Sequence, residues 1–101
     1  MQNATPPDAD NLTVQFPMGQ LVATPGALRL LELHGILPLR LIAKHVHADF
    51  GIVPPEDVAA NIEAIKYGGR ILSSYLVGND RVWIITEADR SSTTILLPSE
   101  Y

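Results

Sequence analysis

A chain of 101 residues, 47% hydrophobic and 18% charged, makes one small globular domain and is too apolar to stay disordered. Eleven acidic residues against seven basic ones give a formal net charge of −4, which disfavours a protein that coats nucleic acid by bulk charge, although Arg70, Arg81 and Arg90 all lie in the last third. With no cysteine there is no disulfide, no thiol chemistry and no cysteine metal site, a composition that fits the cytoplasm.

Residues 1–13 are polar, hold Pro6-Pro7 and lack both the basic and the apolar region of a signal peptide. They read as a disordered tail ahead of a single domain over residues 14–101. No apolar run approaches a membrane span. From Val14 to Val22 a strand pattern is interrupted by Pro17 and Gly19, leaving Gln20 to Ala23 as the stronger piece, with the character of an edge strand. Thr24-Pro25 then starts a helix: Thr caps, and Pro at the first helical position gives up an N–H that has no partner there. Ala27, Leu28 and Leu31 form its apolar face, and Gly35 caps its end. Pro38 opens a second helix through Phe50, with Leu39, Ile42, Ala43 and Val46 at helical spacing and Gly51 as its stop. Pro54-Pro55-Glu56-Asp57 begins a third, its acids where the helix dipole favours them. Val58, Ala59, Ile62 and Ile65 make its stripe, and Gly68-Gly69 ends it.

Three strands follow. Ile71, Ser73, Tyr75 and Val77 alternate with Leu72, Ser74 and Leu76; Gly78-Asn79-Asp80 is hairpin chemistry; Val82, Ile84 and Thr86 alternate with Trp83, Ile85 and Glu87. ADRSS makes the next turn, TTILLP the last strand, and Pro98 ends it. The order predicts an α+β domain of three N-terminal helices packed on a three- to four-stranded antiparallel sheet, a C-terminal β-meander to which Gln20–Ala23 can add the extra strand. Both sheet faces carry apolar residues, so one receives the helices and the other is a groove or contact surface.

The runs QLVATPGALRLLELHG, HADFG, NIEAIKYGGRILSSY and VWIITEADRSSTTILLPSEY together resemble a family of small uncharacterised bacterial proteins of plasmids and integrative elements, often labelled plasmid-related or type I restriction subunit-like. The likeness spans about residues 19 to 101, and ITEADRSSTTILLP with the closing Glu-Tyr is its most specific part. That family often has tryptophan where this chain has Phe50. The resemblance implies a mobile-element setting; it brings no established activity, cofactor or catalytic residue, and no nucleotide- or methyl-donor-binding motif supports the restriction label.

Four groups of residues are candidates for chemistry or binding. The first is the polar stretch Thr86 to Thr94, where Asp89-Arg90 and the hydroxyls of Ser91, Ser92, Thr93 and Thr94 offer an arginine fork for a phosphate or carboxylate. The competing reading is a hairpin loop whose Asp and Ser satisfy their own backbone while Arg90 pairs with Glu87 or Asp89. The second is His45, His47 and Asp49, with His34 as a third ligand or Asp49 as partner to a His base, against helix capping; no metal-binding spacing is present, and no metal or cofactor is expected. The third is Ser73, Ser74 and Tyr75, more simply the wet side of a half-buried strand, since no nucleophile elbow surrounds them. The fourth is Trp83 with Tyr75 and Tyr101: an anchor for a partner on the outer sheet face, or core packing.

These readings lead to a non-catalytic protein-interaction or accessory module of a bacterial mobile element, binding a protein, itself or another, and no membrane, with Trp83, Glu87, Asp89, Arg90, Ser91 and Thr93 as the binding set. The alternative is a small metal-independent ribonuclease of barnase-like or RelE-like layout, recruiting His45, Arg70, Arg90, Thr94 and Tyr101, an analogy of fold that requires those side chains to meet in one cleft. A DNA-binding regulator ranks last, since the second and third helices carry only Arg40, Lys44 and Lys66 as basic groups besides histidine.

Overall fold

One residue joins strand β1 (Gln20–Ala23) to helix α1 (Pro25–Leu33) and sets the limits of both. The Thr24 N–H donates to the Ile95 carbonyl at 3.0 Å, continuing the strand ladder, while its Oγ1 accepts the Ala27 N–H at 3.2 Å, capping the helix. The structure is a computed structural model describing residues 13–101; the tail expected over residues 1–13 lies, up to residue 12, outside the described residues. After α1 come helices α2 (Pro38–Val46) and α3 (Pro55–Tyr67), then strands β2 (Ile71–Val77), β3 (Asp80–Thr86) and β4 (Ser92–Leu96), and a short 3₁₀ turn (Pro98–Glu100).

The domain is α+β with three helices on a four-stranded sheet, but the sheet is mixed where an antiparallel one was expected. Strand order is β1-β4-β3-β2, and β1 pairs with β4 in parallel. The reason is topological. The meander β2-β3-β4 begins at the far edge and walks back toward β1, with two reversals, so β4 returns in the direction of β2. A strand that precedes the helices and runs with β2 needs a crossover, and the three helices supply it. They are therefore a connection between two parallel strands, not an N-terminal block.

Helix ends follow their backbone chemistry. At the end of α1 the Ile36 N–H donates to the Leu31 carbonyl (2.9 Å) and Gly35 N–H to Glu32 (3.0 Å), with Gly35 at φ 67°. This is a Schellman cap with glycine in its left-handed position. Helix α2 ends the same way, Asp49 N–H to Lys44 (2.9 Å) and Ala48 N–H to His45 (3.1 Å), but Ala48 holds the left-handed position at φ 67°. So α2 stops at Val46, four residues short of the expected Phe50.

The core lies between the helices and one face of the sheet: Ala27, Leu31, Leu41, Ile42, Val46 and Ala64 pack on Ile71, Tyr75, Val77, Val82, Ile84 and Ile95. The expected helix faces are rotated. Leu28, Leu39, Ala43, Ala59 and Ile62 are exposed, while His45 and Asn61 are buried. Both polar residues are satisfied inside, which is what lets the faces turn. The Asn61 amide donates to the Leu72 carbonyl (2.8 Å) and accepts the Leu72 N–H (3.1 Å), acting as an added strand residue at the outer edge of β2. Beside it Ser74 N–H donates to Phe50 O (2.9 Å) and Ile52 N–H to Ser74 O (2.6 Å). Gly51, between them, has a φ of 73°, and a Cβ there would stand 2.1 Å from the Ser74 oxygen.

Candidate functional site

The polar segment 86–94 splits three ways. Thr86 and Thr93 are fully buried on the helix side. Asp89 and Ser91 are exposed in the turn, where Asp89 Oδ1 accepts the Ser91 N–H at 3.0 Å, and the Ser91 hydroxyl with that N–H holds the carboxyl below its usual range. Arg90 turns inward from a left-handed backbone (φ 62°). Its Nη1 donates to the carbonyls of Gly69 (2.6 Å), Glu87 (3.1 Å) and Ala88 (3.2 Å), and its Nη2 to Ala64 (2.7 Å). The fork that sequence offered to an anion is taken up by backbone carbonyls at the end of α3 and in its own turn.

His45 belongs to a buried chain of hydrogen bonds, and proton counting fixes its direction. The Thr93 hydroxyl donates to Met18 O at 2.8 Å. Its single proton is then used, so the Thr86 hydroxyl donates to Thr93 Oγ1 (2.7 Å), and the His45 Nε2–H donates to Thr86 Oγ1 (2.9 Å). Nδ1 is left as the acceptor of the Ser73 hydroxyl at 2.6 Å. A neutral imidazole with its proton on Nε2 satisfies every member. Phe16 stands edge-on to the ring, 5.1 Å between centroids, and burial pulls the His45 pKa from 6.5 down to about 4. His47 instead meets its own helix at Ala43 O (2.7 Å), and Asp49 Oδ1 accepts the Gly51 N–H (3.3 Å). Among the described residues no cluster of His and carboxylates could hold a metal ion.

Among the described residues none of the helices α1–α3 packs on the opposite sheet face, although the 3₁₀ turn lies against β3, and Ile85 and Leu96 are buried there. Alternation places Leu72, Trp83, Ile85, Thr94 and Leu96 there, with Val22 of β1 beside Thr94. Trp83 is half-buried, and Tyr101 packs edge-on against it, ring centroids 5.7 Å apart at 69°. Arg70, Leu72, Trp83, Ile85 and Tyr101 line a hollow of about 230 Å³. Arg70 closes its rim, 5.3 Å over the Tyr101 ring and 3.7 Å from Glu87 Oε1. Tyr101 is set there by the 3₁₀ turn, which Glu100 ties to the start of α1: its carboxylate accepts Thr24 Oγ1–H (2.5 Å) and Leu97 N–H (2.8 Å), and the Thr24 hydroxyl leads in holding that carboxyl below its usual range.

Of the binding set read from sequence, Trp83 and Glu87 reach this face, Asp89 and Ser91 lie in the turn, and Arg90 and Thr93 are committed inside. Of the ribonuclease set, Arg70, Thr94 and Tyr101 lie on the open face, while His45 is sealed in the core and Arg90 spends its donors on backbone. The five do not line one cleft. Leu72 and Ile85 were not among the sequence candidates, yet the period-two pattern that put Ile85 beside Trp83 already contained them. Comparison with protein-family models, curated proteins and solved structures gives no match.

Proposed function

We propose that the protein is a non-catalytic protein-interaction module, an accessory factor of a bacterial mobile element working in the cytoplasm, that takes an apolar segment of a partner protein onto the open face of its sheet. One observation supports this above the others: among the described residues the row Leu72, Trp83 and Ile85 carries none of the helices α1–α3 and, with Tyr101, lines a hollow. A rigid aromatic beside aliphatic walls is the usual anchor of a protein contact, because the ring loses little entropy on burial and brings a large apolar area. The Arg70–Glu87 pair supplies a polar rim, which contributes orientation more than affinity. No helix of the described residues is long and apolar enough to cross a membrane.

The test places a photo-crosslinking side chain at Leu72 in the full chain expressed in bacterial cells. Discrete adducts to a protein are expected, lost on Trp83→Ala while the fold is retained. Adducts unchanged by Trp83→Ala, or none at all, would remove the open face from the function.

A further inference from the structure

The two edges of the sheet are treated differently, and the difference points to a partner. The β2 edge is closed by Asn61 and by residues 50–52, as described above. The β1 edge has no such cover from any described element. In a parallel ladder alternate residues turn both backbone groups to the neighbour; Gln20 N–H meets Ser91 O and Thr24 N–H meets Ile95 O, each at 3.0 Å. Gln20, Val22 and Thr24 therefore face β4, and the N–H and C=O groups of Leu21 and Ala23 point away from it. The strand Gln20-Leu21-Val22-Ala23 is short, four residues, which limits an edge, but it carries no charge, no proline and no bulge, the other usual devices that keep an edge from pairing. Leu21 and Val22 are each 43% exposed.

We infer that β1 pairs with β1 of a second copy of this chain, antiparallel about a two-fold axis at Val22. Four outward backbone groups in this spacing call for an extended strand as the occupant, and the uncharged β1 of a second copy meets them in register. With Val22 opposite Val22 of the second copy, Leu21 lies opposite Ala23 in both directions, and all four groups of each strand are satisfied by four hydrogen bonds. The two Val22 residues form the non-hydrogen-bonded pair, the closer of the two kinds, about 4.5 Å between Cα atoms. An uncharged strand meets its own image without like-charge repulsion. The product is a continuous eight-stranded sheet, which sets two open faces side by side and joins their apolar rows through Val22. Presentation of a doubled binding face rests on the function proposed above; the pairing itself does not.

Leu21→Pro gives a clean test, because the N–H it removes is not part of the β1–β4 ladder and proline is tolerated on an edge. Sedimentation of the full chain from about 10 µM to about 1 mM is expected to show a reversible dimer for the wild type and a monomer for Leu21→Pro with unchanged circular dichroism. Val22→Lys, which sets two cations across the axis, weakens the dimer at least about tenfold and decides the matter if the proline variant does not fold. Amide exchange at Leu21 and Ala23 slows with concentration in the wild type. Wild type that stays monomeric overturns the proposal, as does a folded Leu21→Pro or Val22→Lys variant that dimerises undiminished. A dimer dissolved by Trp83→Ala alone moves the contact to the open face and overturns edge pairing, whereas loss of Leu72 crosslinks with the dimer intact bears only on partner binding.

Discussion

The two faces of the sheet divide their residues against simple polarity. On the helix side Ser73, Thr86 and Thr93 are fully buried around a fully buried His45. On the open side stand the one tryptophan and Leu72, with Leu76 54% exposed. A polar group is held inside when every donor finds an acceptor, and the chain from Ser73 through His45, Thr86 and Thr93 to Met18 O does this without water. Leu72, Trp83 and Leu76 are left partly or largely exposed by the described residues, and such a patch marks a contact surface. Substitutions on the helix side are therefore expected to act on stability, and substitutions on the open side on partners.

The largest effect belongs to His45. Removing the ring in His45→Ala opens a void and leaves the Ser73 hydroxyl without its partner, so a loss of about 3 kcal/mol is expected by denaturant titration at neutral pH. The same residue gives the acid limb of stability. Folded His45 titrates at about 4 and unfolded at 6.5. Between those values the unfolded chain binds a proton that the folded one refuses, so stability is full above pH 6.5 and is lost as pH falls through 4. A gap of about 2.5 pH units at about 1.4 kcal/mol each comes to about 3 kcal/mol. His45→Ala should lack this part of the pH dependence. A variant as acid-sensitive as wild type would show that another group governs it, and with it that the buried chain is not what distinguishes the helix side.

Next comes Arg90, the residue whose place in the sequence most suggested a ligand. Its guanidinium joins α3 to the β3–β4 turn through four carbonyls and lies 5.8 Å from the Phe16 ring centroid. Arg90→Ala should cost about 2 kcal/mol, the range for hydrogen bonds made by a charged donor. Arg90→Lys should recover less than half, because an ammonium cannot reproduce the planar fork. If Arg90→Ala melts like the wild type, the contacts are incidental and the arginine is free for the anion role read from its sequence.

Much of the element list was legible because proline and threonine punctuate it: Thr24-Pro25, Pro38 and Pro55 each stand at a helix start. The hairpin was legible too, with a two-residue Gly78-Asn79 loop whose first residue has φ 64°. Pairing direction was not. A period of two says that Gln20–Ala23 is a strand, and it is the same for parallel and antiparallel neighbours. The end of α2 was hidden because Ala48 occupies a left-handed cap that glycine occupies at position 35 in the same motif. His45 was hidden because a histidine in the last turn of a helix suits the dipole, and only the distant Ser73 and Thr86 make it a core residue. The open face was half legible: alternation grouped Trp83 with Ile85, but which half of each strand meets the helices is a tertiary fact.

The smallest effect is expected at Arg70, and it tests the open side from the other direction. Arg70 and Glu87 form the single ion pair among the described residues, 3.7 Å apart with about half of each side chain exposed. At that separation, solvent screens the attraction and ordering two long side chains cancels much of the rest, so Arg70→Gln should move stability by less than about 0.5 kcal/mol. Arg70 also covers Tyr101 and edges the hollow beside Trp83. If the open face receives a partner, Arg70→Gln should reduce Leu72 crosslinking while the melting temperature stays put. Arg90→Ala, measured in parallel below its own melting transition, should do the reverse. Two arginines in the same third of the chain would then separate by face, one acting on the fold and the other on its contacts. Equal effects of the two on both readouts would mean that the sheet does not insulate its faces, and that the open row is part of what holds the domain together.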